Sequence, residues 1–349
     1  MRRKGFEPAP EAVVDRGGFE YGRFGTPFGR ANMLDVERPY LYPLPRFVKR
    51  LRLKEWRDFH FGDERWFFFT AMYDAKIASL AMFHAYDRET KRHFEVQRIV
   101  PGSAFAFGES LSGSRIAYRG SRTFIELLCE FDKGFAQVAV LRNSRDRRKR
   151  FSGRFRFTYG EKTSATQAVC LPLGMNRAMY STKTCMPLEG EFSADGQTHS
   201  LGGIAAMGVF DDHKGYYPWR MHFDWVSGFG LDHRGRRIGF NLTDNQVRDQ
   251  VKFNENCLWI NNRTWPLPPI RVTRPHGHDG EWVIQDTEGM VDLIFVPEVR
   301  NDIQFRLGLL DTDYHGPFGS FRGVIKNGEG EKVQAESLYG AGEQKYLRA

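Results

Sequence analysis

Two stretches of the chain crowd ionisable and polar groups among aromatic ones. The first reads Leu171-Pro172-Leu173-Gly174-Met175-Asn176-Arg177-Ala178-Met179-Tyr180-Ser181-Thr182-Lys183. The second reads Asp211-Asp212-His213-Lys214-Gly215-Tyr216-Tyr217-Pro218-Trp219-Arg220-Met221-His222-Phe223-Asp224-Trp225. A carboxylic acid enclosed by apolar side chains is harder to ionise, so it can hold a proton near neutrality and give it away. Asp211, Asp212 and Asp224 are the candidates for that acid. Tyr180, Tyr217, Trp219 and Trp225 offer aromatic faces that stabilise a developing cation. Arg177 and Lys183 suit a carboxylate or phosphate head group on a ligand. Asn176 and His213 complete the candidate binding set. Each of these residues also has a structural reading. Two aspartates before a glycine commonly close a turn on local N–H groups, and Asn176 with Arg177 can tie two loops together.

Other chemistries find less support. His199, His213, His222, His233, His276 and His278 crowd the second half, but neither HExxH nor another familiar ligand spacing occurs, so no metal and no cofactor are expected. Cys129, Cys170, Cys185 and Cys257 form no CxxC pair, which reads as reduced thiols. No P-loop and no GxSxG occurs. The run Arg142, Arg145, Arg147, Arg148, Lys149, Arg150 stands beside Phe151, Phe155, Phe157 and Tyr159. That pattern imitates an RNA-stacking sheet. A solvated hairpin tip with strand-interior phenylalanines behind it is the favoured reading, so no nucleic acid is expected. An anionic membrane surface is the other candidate partner for this loop. The basic start Met1-Arg2-Arg3-Lys4 is not followed by an apolar segment, and no run of about 18 apolar residues exists. The expectation is a cytoplasmic protein without a signal peptide or a membrane-spanning helix.

The elements that must position these residues read as strands. Trp66 to Met72 is a buried strand and Ser79 to Asp87 its hairpin partner, while Phe94 to Val100 alternates apolar and polar residues with period two. The theme repeats to the end of the chain, punctuated by turns such as Asp195-Gly196, Asp279-Gly280 and Asn327-Gly328. No long amphipathic helix stands out. So many short strands in 349 residues exceed one small barrel, which predicts an all-β chain of two tandem lipocalin-like antiparallel barrels or sandwiches. Residues 1–45, rich in Gly and Pro but dotted with Phe and Tyr, form an irregular wrap. The first β unit is expected over 46–165 and the second over 166–349. Their join is expected near 161–172, with the polar run 143–150 as a second candidate, and 337–349 form a short cap. The charge balance of 51 Lys and Arg against 43 Asp and Glu, a net +8, is a moderate basic excess. It leaves the oligomeric state open.

The stretch from Leu173 to Lys183, the Asp211-Asp212-His213-Lys214-Gly215-Tyr216-Tyr217-Pro218-Trp219 stretch and the opening Gly25-Thr26-Pro27-Phe28-Gly29-Arg30-Ala31-Asn32-Met33-Leu34-Asp35 resemble an uncharacterised family, domain of unknown function 2804. The resemblance covers the chain from about Tyr21 onward and implies no activity. A second resemblance is to lipocalin-like double-barrel proteins of the carotenoid hydratase, tocopherol cyclase and Diels-Alderase type. It rests on Asp212, His213 and Gly215, which match their Asp-His-x-Trp-Gly segment without its tryptophan. It implies binding of an apolar or amphipathic small molecule, lipid or isoprenoid-like, in a barrel cavity, with acid-catalysed hydration, isomerisation or cyclisation as the reaction. A non-catalytic lipid carrier or scaffold and a carbohydrate-active β-sandwich are the competing readings.

Overall fold

The computed structural model describes residues 6–307 and 310–348, so the basic Met1 to Lys4 lies outside the described residues. Among the described residues there are one thirteen-stranded and one twelve-stranded antiparallel sheet, each curled about its own core, beside a single α-helix at Arg46–Arg52. The strands that matter below are β1 (Lys54–Gly62), β2 (Trp66–Asp74), β3 (Ala78–Asp87), β4 (Arg92–Pro101), β5 (Ala178–Ala194), β6 (Met207–Gly215), β7 (Arg220–Leu231), β8 (Arg237–Asp244), β9 (Leu310–His315) and β10 (Tyr339–Arg348). In the first sheet the order β4-β3-β2-β1-β6-β5 continues into the meander between 114 and 158. In the second, β8-β7-β10 leads into the strands between 270 and 326, and β9 pairs with β10. No helix among the described residues is long and apolar enough to cross a membrane.

The expected hairpin is present: β2 and β3 pair over Trp66↔Asp87 to Asp74↔Ser79. Asp195-Gly196 turns β5 into its partner Gln197–Leu201, with both residues at the positive φ that a two-residue hairpin loop requires. The sheets exchange at residues 216–219. The region 161–172, where the join was expected, instead leads into strand Ala165–Pro172, which pairs with β5 in the first sheet. The segment from 337 is not a cap. It contains β10, an interior strand hydrogen-bonded to β7 along its whole length. Its Gly340, Gly342 and charged residues disguise a strand whose neighbours supply the apolar contacts.

Three buried clusters organise the molecule. Phe59, Phe61, Phe68, Phe83, Phe155 and Phe157 centre the first unit. Phe240, Trp282, Phe295 and Phe321 centre the second. Phe67, Phe69, Met82 and Tyr86 of the first unit meet Phe229, Trp259, Phe318 and Tyr339 of the second along a seam. Because strand side chains alternate between faces, β1 sends Phe59 and Phe61 to its own core and Trp56, Asp58 and His60 to the seam. The N-terminal wrap packs Val13, Val14, Phe28, Met33 and Val36 onto Ala168, Cys170, Tyr180 and Tyr216. The basic run forms the expected hairpin tip, a short turn at Arg147–Lys149, with Phe151, Phe155 and Phe157 buried in the first core.

Candidate active site

Cross-strand registration places the chemistry. On the seam face of the first sheet, Asp211 of β6 stands between Lys183 of β5 and Asp58 of β1. The next row is Ser181, His213, Trp56 and Tyr73, one residue from each of β5, β6, β1 and β2. The second sheet answers with Thr243, Trp225 and Glu343 in one row, and with Phe223, Lys345 and Tyr314 in the next. Between these faces lies a cavity of about 170 Å³. An engineered protein cavity of roughly 150 Å³ accepts benzene, so this space holds a ring-sized group. It opens from a buried floor at Asp58 and Asp211 toward a rim where His222 and Ile99 (61% exposed) meet solvent.

Four carboxyls, Asp58, Asp211, Glu255 and Glu343, share this cavity with two amines, Lys183 and Lys345. Lys183 bonds Asp211 and lies 3.2 Å from Glu255. Burial opposes its charge, but the two carboxyls outweigh burial and push its pKa up. Ser181 Oγ donates to the second oxygen of Asp211 at 2.7 Å. Burial raises the Asp211 pKa, and Lys183 and Ser181 resist that rise. At Asp58 the charge of Lys183 acts in the same sense but is outweighed. Burial, then the charge of Asp211, push its pKa well above the carboxylate range.

The neighbours of Asp58 lead to the same protonation state by a separate route. Ser227 Oγ donates its one hydrogen to the Phe240 carbonyl at 2.7 Å, so His60 Nε2–H donates to Ser227 Oγ at 2.8 Å. Burial and Lys183 hold His60 neutral, with a pKa near 3. Its Nδ1 therefore presents a lone pair to Asp58 Oδ1, 3.6 Å away. Both atoms are buried without a hydrogen-bond partner, and a carboxylate there would set lone pair against lone pair.

The remaining polar groups are caged by rings. Lys345 Nζ lies 4.7 Å from the centre of Tyr73, 5.2 Å from Trp56 and 5.6 Å from Phe223. Burial lowers its pKa against the pull of Glu343. Glu343, raised by burial, accepts a 2.6 Å hydrogen bond from Tyr314. His213 stacks on Trp56 with ring centres 3.7 Å apart. Burial, Lys183 and Lys345 push its pKa down, and its Nε2 is hydrogen-bonded to the Tyr217 hydroxyl.

Five residues named from sequence line this cavity: Lys183, Asp211, His213, Tyr217 and Trp225. The others lie elsewhere. Asp212 follows Asp211 in a strand and so points the opposite way, where Arg57 Nη2 meets it at 2.7 Å with both side chains buried. Asp224 alternates with Phe223 and Trp225 and is held by Arg274 at 2.7 Å. Tyr180 is buried against Phe28 beneath the N-terminal wrap. Asn176 and Arg177 occupy a half-buried loop, with Arg177 over the Tyr40 ring. Trp219 is 45% exposed in the segment that joins the sheets. The cavity that gathers the five lies between the two sheets, whereas the sequence places it inside a barrel. Asp58, Glu255, Glu343, Lys345, Trp56 and Tyr314 escaped the sequence reading. The alternation of Glu55-Trp56-Arg57-Asp58-Phe59-His60-Phe61 was the available signal.

The family model described as a domain of unknown function (DUF2804) matches residues 18–348. No curated protein sequence matches the chain. Among solved structures, the crystal structure of CghA aligns with a TM-score of 0.50 at 11% identity, covering 99% of this chain and 98% of that one. Kievitone hydratase from Nectria haematococca aligns with a TM-score of 0.46 at 11% identity, over 85% of this chain and 89% of its own. At such identity the likeness to CghA is one of fold, and it agrees with the lipocalin-like double-barrel expectation.

Proposed function

For a chain that belongs to the DUF2804 family, whose name assigns no activity, we propose that the seam cavity binds an apolar or amphipathic small molecule and protonates it. The reaction class is acid-catalysed hydration, isomerisation or cyclisation of a carbon–carbon double bond. The observation that carries this reading is the buried Asp58 carboxyl, 3.6 Å from His60 Nδ1, at the floor of a cavity lined by aromatic rings. Asp58 O–H gives its proton to one alkene carbon, and the π electrons form the new C–H bond. The cation left on the other carbon is stabilised by the aromatic lining that Lys345 leaves uncovered, such as Trp225. Water addition, loss of a neighbouring proton or attack by a second double bond then consumes the cation. Attack by a second double bond moves the cation to a new carbon, which then loses a proton or captures water, so every route ends with the release of one proton, which returns to Asp58. Lys183 lies close enough to steady the transient Asp58 carboxylate.

A purely passive carrier does not require four carboxyls in its cavity, since each buried ionisable group costs stability unless paired. The test begins with native mass spectrometry and organic extraction of the purified protein, to recover a retained small molecule. That molecule is then incubated in D₂O with wild-type protein and with Asp58→Asn. The expected result is deuterium at carbon with wild type and at least about a hundredfold less with the variant, at similar ligand affinity. Equal deuteration by both would remove Asp58 from the reaction. Failure to retain or bind any apolar molecule would remove the cavity from it.

A further inference from the structure

The tightest convergence of ligand-type side chains lies in the first half of the chain. Among the described residues, one group of three potential ligands has its donor atoms within 4.8 Å of one another: His84, His93 and Glu95. His84 belongs to β3, and His93 and Glu95 to β4. Glu95 is directly opposite His84 in register, and His93 is two residues away on the same face. His84 Nδ1 lies 3.1 Å from His93 Nε2 and 3.8 Å from Glu95 Oε2. Two ligand atoms on one tetrahedral zinc ion, each about 2.1 Å from it, sit about 3.4 Å apart. The observed separations bracket that span.

We propose that His84 Nδ1, His93 Nε2 and Glu95 form a site for one divalent transition metal ion of the zinc class, at the seam and outside the small-molecule cavity. The donor set, two imidazoles and a carboxylate, suits zinc and its borderline neighbours rather than calcium or magnesium. Glu95 is 58% exposed, which gives the ion an entrance and leaves coordination positions to water. The supporting groups are built in. Gln97, on the same face of β4, reaches His84 Nε2 at 3.3 Å and Asn301 of the second unit at 3.1 Å. Asn301 is buried, and its Nδ2 finds no hydrogen-bond partner. Turning both amides over lets Gln97 Oε1 accept from His84 Nε2–H and from Asn301 Nδ2–H. That arrangement directs the lone pair of His84 Nδ1 to the metal and ties the site to the second unit. The ring of Phe318, also from the second unit, packs 5.4 Å from His84 and covers the inner side.

The full-length chain, stripped of metal, is titrated with Zn²⁺ alone by calorimetry and with Co²⁺ alone by visible absorption. One ion per chain is expected, with d–d bands of nitrogen and oxygen ligation for Co²⁺. Zn²⁺ binding should weaken about tenfold or more in His93→Ala and in Glu95→Gln, and by roughly 10–100-fold in Gln97→Ala. Melting curves without metal show whether each variant is folded. Because Glu95 is largely exposed, Glu95→Gln serves if His93→Ala fails that check. Absence of stoichiometric binding to wild type overturns the proposal. So does binding that survives the substitutions of His93 and Glu95 unchanged, which would locate the ion elsewhere.

Discussion

Asp211 and Asp212 are adjacent, both buried, and face opposite ways. Asp211 enters the cavity beside Lys183, whereas Asp212 enters the first core and bonds Arg57, which also donates to Ser114 Oγ at 2.7 Å. Removing one partner of a buried ion pair leaves the other charge uncompensated, at a cost of about 3–5 kcal/mol. Asp212→Ala is therefore expected to lower the unfolding free energy by that order in denaturant titrations. Asp58→Asn acts through protons instead. Its folded-state pKa is raised above the unfolded value, so the folded state binds more protons and the stabilisation from Asp58 is present below the ordinary carboxylate range. That contribution falls as pH rises through the folded pKa. Wild-type melting temperature should decline across that interval, and Asp58→Asn should flatten the decline. Equal slopes in both proteins would place the carboxylate form at this position.

Strands explain what could and could not be read in advance. The hairpin of β2 and β3 was legible because its apolar run, its turn and its partner are contiguous in sequence. The site was half legible, since Asp211, His213 and Tyr217 lie in one short stretch. Asp58 and Asp211 sit 153 positions apart in number, opposite each other on neighbouring strands whose pairing no local pattern discloses. The seam also removes the usual signal: β1, β2 and β6 are buried on both faces, so polar groups there do not mark a solvent side. The end of the chain misled for a related reason. Its glycines allow close approach, as at Gly340, where a Cβ would lie 2.0 Å from the Ser227 carbonyl oxygen. They resemble a loop in sequence but sit in β10, between β7 and Phe318–Lys326. Truncation after Ser337 is therefore expected to unfold the second unit rather than trim a tail. Far-ultraviolet circular dichroism and limited proteolysis would show it, and a truncated chain with intact strand content and protease resistance would contradict the topology.

At the scale of the whole molecule, neither unit makes the site alone. The first sheet supplies Asp58, Lys183 and Asp211, and the second supplies Lys345, Glu343 and the faces of Phe223 and Trp225. Joining the two sheets excludes water from a cluster with two more carboxyls than amines; that burial first, and then the neighbouring carboxyls, raise the pKa of Asp58. The seam is also a packed core, with Phe67 in ring contact with Phe229, Phe318 and Tyr339, which holds the two faces in place. The central claim is that this enclosure keeps a proton on Asp58 in neutral solution. Infrared difference spectroscopy between wild type and Asp58→Asn at pH 7 tests it directly. The account predicts a protonated-carboxyl C=O band in wild type that the substitution abolishes. Loss of carboxylate bands instead, with the C=O region unchanged, would contradict it.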